Sequence, residues 1–210
     1  ANQAGNEDYN AASLLQQTVT VNKGTQTLSF TSAAPGSAVV AGSSYAPAAI
    51  SDRGLTPVPI TVDGTSVGVC TISGGVVSFV GVGTCTLNAN QAGDGNYNAA
   101  TQLQQSFNVA QGSQTLSFSS DPPAGAQVSG DILMPTATST SGLNVVITVD
   151  SSAAAVCTIS GGNVSFTATG TCMLNANQAG DANFTAALQL QQSFTVFKGV
   201  QTVSFTSTAP

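Results

Sequence analysis

The chain repeats one long stretch of sequence almost unchanged, and this recurrence constrains the fold more than any other feature. The stretch VCTISGGVVSFVGVGTCTLNANQAGDGNYNAA begins at Val69, and it returns as VCTISGGNVSFTATGTCMLNANQAGDANFTAA from Val156. The pentapeptides QTLSF, QTLSF and QTVSF mark the same frame at Gln26, Gln114 and Gln201, at steps of 88 and 87 residues. A unit of this length is too long for a helical solenoid repeat. It is close to the roughly 100 residues of a sandwich of two β-sheets.

This frame predicts four segments along the chain. Residues 1–22 hold the closing strands of a preceding repeat, 23–111 and 112–198 are whole repeats, and 199–210 hold the first strand of a following repeat. Residues 1–35 match residues 176–210 at a constant offset of 175. The chain is therefore interpreted either as part of a longer array or as a subunit whose ends are completed by neighbouring copies.

Apolar and polar residues alternate in short stretches that are bounded by turn formers. The pattern occurs at Leu28/Phe30, Val58/Ile60/Val62 and Phe107/Val109, and again at Leu116/Phe118, Val145/Ile147/Val149 and Phe194/Val196. Period two with one apolar face is typical of half-buried strands. Gly-Gly at 74–75 and 161–162 predicts tight hairpins. The sequence therefore predicts an all-β chain of tandem sandwiches.

The four cysteines form two equivalent pairs at identical spacing, Cys70 with Cys85 and Cys157 with Cys172. Each cysteine shares its parity with apolar neighbours, which predicts that the sulfur atoms point into the core. Four thiolates at this spacing, in a chain without histidine, make a poor zinc site. We therefore expect one disulfide in each repeat. Such bonds persist outside the reducing cytosol, so export is expected.

Charge and composition exclude several classes of function. Only Lys23, Arg53 and Lys198 are basic and the net charge is −6, which argues against nucleic-acid binding. No apolar stretch approaches the length that spans a bilayer. With no histidine, and with paired cysteines, a general base or nucleophile is lacking, so no enzyme and no cofactor is expected. The carboxylates Asp52 and Asp63 are interpreted as solvated, since Thr140 or Ser141 replaces the first of them in the second repeat.

A calcium site is the one metal hypothesis that the sequence raises. Asp94 and Asn96, and again Asp181 and Asn183, place oxygen ligands in one recurring loop. Strong calcium sites need several carboxylates, whereas each loop offers one or two. Turns in which an Asp or Asn side chain binds the backbone explain the same residues without metal, and we favour that interpretation. The aromatic position of this loop, Tyr97 or Phe184, is expected to pack beneath it.

The order QTLSF, SGGVVSF, GTCTL, ANQAG, NYNAA and QQSF resembles the bacterial immunoglobulin-like repeats of very large secreted surface proteins. The resemblance covers the whole chain. It implies immunoglobulin-like β-sandwiches strung in tandem, at the cell surface or in a secreted matrix, as stalks, adhesins or fibres. These repeats usually act as spacers, and the family supplies no catalytic residues.

Two functions from different classes follow from these observations. The first is an extracellular spacer or fibre-forming repeat whose partners are adjoining repeats or other copies of the chain. The second is a glycan- or protein-binding module; its candidate surface is the loop that differs most between repeats, 33–45 against 121–133. A fibre would use the apolar residues of the two incomplete ends, Val19, Val21, Val203 and Phe205. Their partners are expected to be strands of another copy, or of the chain's own adjacent repeat.

Overall fold

A computed structural model describes residues 1–130 and 132–206 of the chain. Its regular structure is almost entirely β. The strands are β1 (Leu28–Phe30), β2 (Ala38–Val39), β3 (Ala49–Ser51), β4 (Ile60–Val62), β5 (Cys70–Ser73), β6 (Val76–Phe79), β7 (Gly83–Ala89), β8 (Leu103–Ala110), β9 (Leu116–Phe118), β10 (Ala137–Ser139), β11 (Val146–Val149), β12 (Cys157–Ser160), β13 (Asn163–Phe166), β14 (Gly170–Asn177) and β15 (Leu190–Val196). Helical structure in the described residues is limited to two three-residue 3-10 turns, Gly64–Ser66 and Ser151–Ala153, so none of it is long enough to cross a membrane.

The first repeat contains three small sheets. Strand β1 pairs with β3, β5 pairs with β6, and a four-stranded sheet has the order β2-β8-β7-β4. The β1–β3 and β5–β6 pairs are antiparallel, whereas β2 and β8 are parallel. The β5–β6 hairpin turns at Gly74 and Gly75, whose φ angles of 56° and 79° are those of a type I′ turn. The hairpin predicted from Gly-Gly is therefore confirmed.

The second repeat copies this arrangement with small losses. Strand β9 pairs with β10, β12 with β13, and the larger sheet has the order β11-β14-β15. The counterpart of the parallel β2–β8 pair is a single parallel bridge between Gln127 and Phe197. Gly161 and Gly162, with φ of 57° and 81°, repeat the hairpin turn. The correspondence of pairs confirms that both copies of the sequence adopt one fold.

A disulfide lies at the centre of each core. Cys70 of β5 is bonded to Cys85 of β7, and Cys157 of β12 to Cys172 of β14. Each bond thus joins the short hairpin to the larger sheet. All four cysteines are fully buried, together with Leu87 and Val77 in the first repeat and Leu174 and Val164 in the second. The predicted class, tandem immunoglobulin-like sandwiches with one core disulfide in each, is confirmed.

The chain divides into two compact units that each draw on several stretches of sequence. The first comprises Ala1–Ala33, Pro47–Thr61 and Leu87–Gln105, and the second comprises Ala34–Ala46, Val62–Thr86 and Ser106–Pro210. In the first unit the apolar Leu87 and Ala89 are buried, and so are the polar Gln26 and Ser51. The second unit contains both disulfides and the cluster of Phe166, Leu174 and Val196. The four predicted segments stay a prediction.

Candidate functional site

A closely recurring feature is the loop that follows β7 in the first repeat and β14 in the second, residues 94–98 and 181–185, which we call the Asx loop. Its first residue is an aspartate whose Oδ1 accepts from two backbone N–H groups. In the first repeat the donors are Asn96 and Tyr97, both at 2.8 Å. In the second, Asn183 and Phe184 donate to Asp181 at the same distance. The side chain therefore closes the turn itself.

The Asx loop also holds the residue that opens its own repeat. The Gly24 N–H donates to the Asn96 carbonyl at 2.8 Å, and the Asn98 N–H donates back to Gly24 at 2.9 Å. The Tyr97 ring lies against Gly24, where a Cβ would come within 3.1 Å of two ring carbons. The Lys23 ammonium adds a 2.6 Å bond to the Asp94 carbonyl. The aromatic residue is thus a packing anchor, as the sequence predicted.

The weak calcium candidates take part in this turn. Asp94 and Asp181 each commit one carboxylate oxygen to backbone N–H groups, and the Asn96 side chain is exposed. The side chain of Asn183 accepts from the Val82 N–H at 3.1 Å. Among the described residues no group of three or more acidic, histidine or cysteine side chains could hold a metal ion. The loop is thus built as a backbone clasp.

The remaining acidic candidates have structural partners. Asp52 accepts from the Thr27 N–H at 2.9 Å, which, together with the nearby Arg53, holds the pKa of its carboxyl below the ordinary value. In the second repeat Thr140 takes the same place, with its hydroxyl oxygen accepting from the Thr115 N–H at 3.0 Å. Asp63 caps the first 3-10 turn. Each carboxylate thus accepts hydrogen bonds from its local backbone.

Asp150 has a strongly perturbed carboxyl group. Its Oδ1 accepts from the Ser152 hydroxyl at 2.6 Å and from the Ser152 N–H at 2.9 Å, and its Oδ2 accepts from the Asn175 amide at 2.9 Å. These bonds, with the Ser152 hydroxyl contributing most, lower the pKa of Asp150 from 3.8 to about 2. The carboxylate therefore stays ionised and fixes the turn after β11.

The glutamine that begins each QTLSF motif has a structural role that local sequence patterns do not predict, although its recurrence could have suggested one. Gln26 is buried; its amide donates to the Asn98 carbonyl at 2.9 Å and its Oε1 accepts from the Ser51 hydroxyl at 2.8 Å. Gln114 likewise donates to the Thr185 carbonyl at 2.8 Å. A buried amide costs stability unless it is bonded, so these glutamines tie the first strand to the Asx loop.

A shallow depression lies beneath the predicted variable loop in both repeats. In the first repeat its volume is about 520 Å³, and its lining includes Ser43, Ser44, Tyr45 and Phe79. In the second it measures about 460 Å³, and its lining includes Gln127, Ile132, Leu133 and Phe166. Residue 131 of the second loop lies outside the described residues. The concavity thus recurs with serine and tyrosine side chains in one repeat and with glutamine, isoleucine and leucine side chains in the other.

The four predicted assembly residues are all exposed in this chain. Val19 and Val21 are 74% and 89% exposed, and Val203 and Phe205 are 98% and 97% exposed. The corresponding residues of whole repeats, such as Phe107 and Val109, are buried. The chain's own repeats therefore do not cover these ends, and their role in assembly stays a prediction. Residues 207–210 of the last predicted strand lie outside the described residues.

Comparison with known proteins gives no family. No family model matches the chain, and no curated protein resembles it in sequence. Among solved structures, repeats EC1-4 of Drosophila N-cadherin align over 83% of the chain and 50% of their own length, with 13% identity and a TM-score of 0.30. Domains 1-6 of the surface layer protein SbsC align over 84% and 28%, with 16% identity and a TM-score of 0.32. The chain thus spans half or less of these structures, and scores of this size leave its function to be argued from its own residues.

Proposed function

We propose that the chain is a structural repeat segment of a large bacterial surface protein, a spacer or fibre-forming element outside the cell. One observation carries the proposal: the same disulfide-linked sandwich is built twice from nearly the same sequence. Repetition of a whole domain lengthens an array without adding chemistry. Disulfides persist in oxidising compartments, which supports an extracellular place.

The side chains that could perform catalysis are committed to structure, which supports a non-catalytic role. The chain has no histidine, and the cysteines are consumed in disulfides. Asp52, Asp63 and Asp150 each hold a turn or a strand end through backbone bonds. A spacer needs stability rather than a reactive group, and this arrangement supplies it.

A binding role is the second candidate, and the recurring depression favours it. Its lining side chains differ between repeats, Ser43, Ser44 and Tyr45 in the first and Gln127, Ile132 and Leu133 in the second, while Phe79 and Phe166 occupy matching places. A glycan array and a panel of surface proteins, probed with the whole chain, separate the two roles. Selective binding that is abolished by Ser44→Phe, but kept by the exposed Thr71→Phe, would replace the spacer with a binding module. Uniform absence of binding is the result that a spacer predicts.

Assembly by strand exchange would make the same chain a fibre subunit. The support is the exposure of Val19, Val21, Val203 and Phe205, since addition of these segments as strands to another copy's sheet would bury such apolar side chains. Sedimentation velocity over a range of concentrations tests it. Association should be lost in the double variant Val19→Ser/Val21→Ser and kept in Leu188→Ser, which removes an equally exposed apolar residue elsewhere. A chain that stays monomeric at every concentration would leave a plain spacer.

A further inference from the structure

The Asx loop of the second repeat holds a residue of the first repeat as well as its own. The main-chain oxygen of Asn183 accepts from the Gly112 N–H at 2.9 Å, at the start of the second repeat. Its side-chain Oδ1 accepts from the Val82 N–H at 3.1 Å, between β6 and β7 of the first repeat. All three residues belong to the second compact unit. One asparagine therefore joins two successive repeats.

Gly112 fits this joint because it has no side chain. A Cβ at this position would overlap the carbonyl oxygen of Val40, in the first repeat, and would come within 3.2 Å of the Phe184 ring. At the equivalent Gly24, which is exposed, a Cβ would meet only atoms of the Asx loop of its own repeat, the Tyr97 ring at 3.1 Å and the Asn96 carbonyl oxygen at 3.8 Å. Gly112 is buried. The junction glycine thus lies between the preceding repeat and the Asx loop of its own repeat.

Comparison of Asn183 with the equivalent Asn96, which has no hydrogen bond to another repeat in the part of the chain that the structure describes, shows what the contact with Val82 changes. Asn96 is equivalent to Asn183, keeps the same turn, and is exposed, whereas Asn183 is half-buried. On the other side, Thr169 is equivalent to Val82, and its N–H has no hydrogen-bond partner among the described residues. The loop is therefore preformed, and burial of the asparagine accompanies contact with a second repeat.

We propose that this loop position is a latch that binds each repeat to the rim of the repeat before it. The rim is the segment that leads into β7 in the first repeat, residues 81–83, and into β14 in the second, residues 168–170. The latch needs an oxygen acceptor at the loop position and a free N–H on the rim. The position is occupied by Asn96, Asn183 and, in the first segment, Asp8, and all three offer a side-chain Oδ1. The partner that fits the rim of the second repeat is therefore the Asx loop of another repeat of this kind.

The inference takes its biological meaning from the proposed tandem-repeat function, but its test concerns one contact. Amide hydrogen exchange by NMR is measured on the whole chain at neutral pH for the wild type, Asn183→Ala, Asn183→Asp and Asn96→Ala. We expect the Val82 amide to be protected about tenfold more than the Thr169 amide, as one hydrogen bond can provide. Asn183→Ala removes that protection, whereas Asn183→Asp, which keeps the oxygen, preserves it. Asn96→Ala is the matched control and leaves Val82 unchanged.

Two results would overturn the proposal. Equal protection of Val82 in the wild type and in Asn183→Ala would show that the side chain binds no rim. Loss of protection in Asn183→Asp as well would show that an oxygen acceptor is not what the position requires. Protection of the β14 amides in the same spectra verifies that each variant is folded. Failure of the latch would leave the spacer role intact, because that role is tested separately by the glycan array and the panel of surface proteins.

Discussion

Removal of one disulfide should destabilise one repeat and spare the other. The double variant Cys157→Ala/Cys172→Ala opens a bond that closes a separation of 15 residues. In the chain-entropy account, a loop of this size is worth about 3 kcal/mol. Both sulfur atoms are fully buried, and the cavity left at each site costs a further ~1 kcal/mol. The expected loss of unfolding free energy is therefore about 5 kcal/mol.

This loss is large relative to the stability of one repeat. A domain of this size has an unfolding free energy of about 4–13 kcal/mol on typical per-residue values. Each kcal/mol corresponds to roughly 4–8 °C in Tm for so small a domain. We therefore expect the second repeat to lose at least 15 °C in Tm, or to be unfolded at room temperature.

The tyrosines of the chain offer an internal reporter of the first repeat. Its three tyrosines, Tyr9, Tyr45 and Tyr97, all precede the second repeat, and the chain has no tryptophan. Tyrosine fluorescence in a urea titration therefore follows the first repeat, while far-UV circular dichroism follows both. In Cys157→Ala/Cys172→Ala the fluorescence midpoint should stay at its wild-type value while part of the dichroism is lost at lower urea. The reciprocal variant, Cys70→Ala/Cys85→Ala, should move the fluorescence midpoint.

The reasoning fails if the measured change is small or in the wrong place. A loss below about 1 kcal/mol in both double variants would show that the disulfides do not stabilise the cores, against the loop-closure argument. A fluorescence midpoint that falls equally in both variants would show that the repeats unfold as one. Mass spectrometry of the non-reduced wild type supplies the control, since the pairing must be present before its loss can be measured.

Two further predictions concern single residues. Gly112→Ala should lower the stability of the chain by about 1–3 kcal/mol, because its Cβ would overlap the Val40 carbonyl, whereas Gly95→Ala, with open space around it, should be neutral in thermal melting. Asp150, with its pKa lowered from 3.8 to about 2 by the Ser152 hydroxyl, stabilises the fold above pH 4 and loses that contribution as the pH falls towards 2. Asp150→Asn should therefore reduce the dependence of the urea midpoint on pH between pH 4 and pH 2. An unchanged pH dependence would contradict the stabilising role of the Asp150 carboxylate.

The sequence predicted the class of fold because its alternation and its repeats are local properties. Alternation at Leu28/Phe30 and Phe107/Val109 shows which face is buried, and Gly74-Gly75 shows where a hairpin turns. The cysteine pairing followed from parity and from equal spacing in the two repeats. The structure confirms these expectations because each depends on neighbours in the chain.

What the sequence could not show were the partners across the fold. The alternation of apolar and polar residues identifies the buried face of a strand but not the strand that pairs with it. It therefore does not reveal that β2 pairs with β8 in parallel. The buried bonds of Gln26 with Asn98 and Ser51 join residues far apart in sequence. Asn183 was considered as a calcium ligand, and its contact with Val82 depends on a second repeat that local patterns do not describe.

The central proposal is that the two disulfide-linked repeats unfold as separate domains. Single-molecule force spectroscopy on the whole chain tests it most directly. We predict two unfolding steps of nearly equal length, each growing by about 50 Å when a reducing agent opens its 15-residue disulfide loop, at ~3.4 Å per residue. A single step, or steps whose lengths do not change on reduction, would contradict the account.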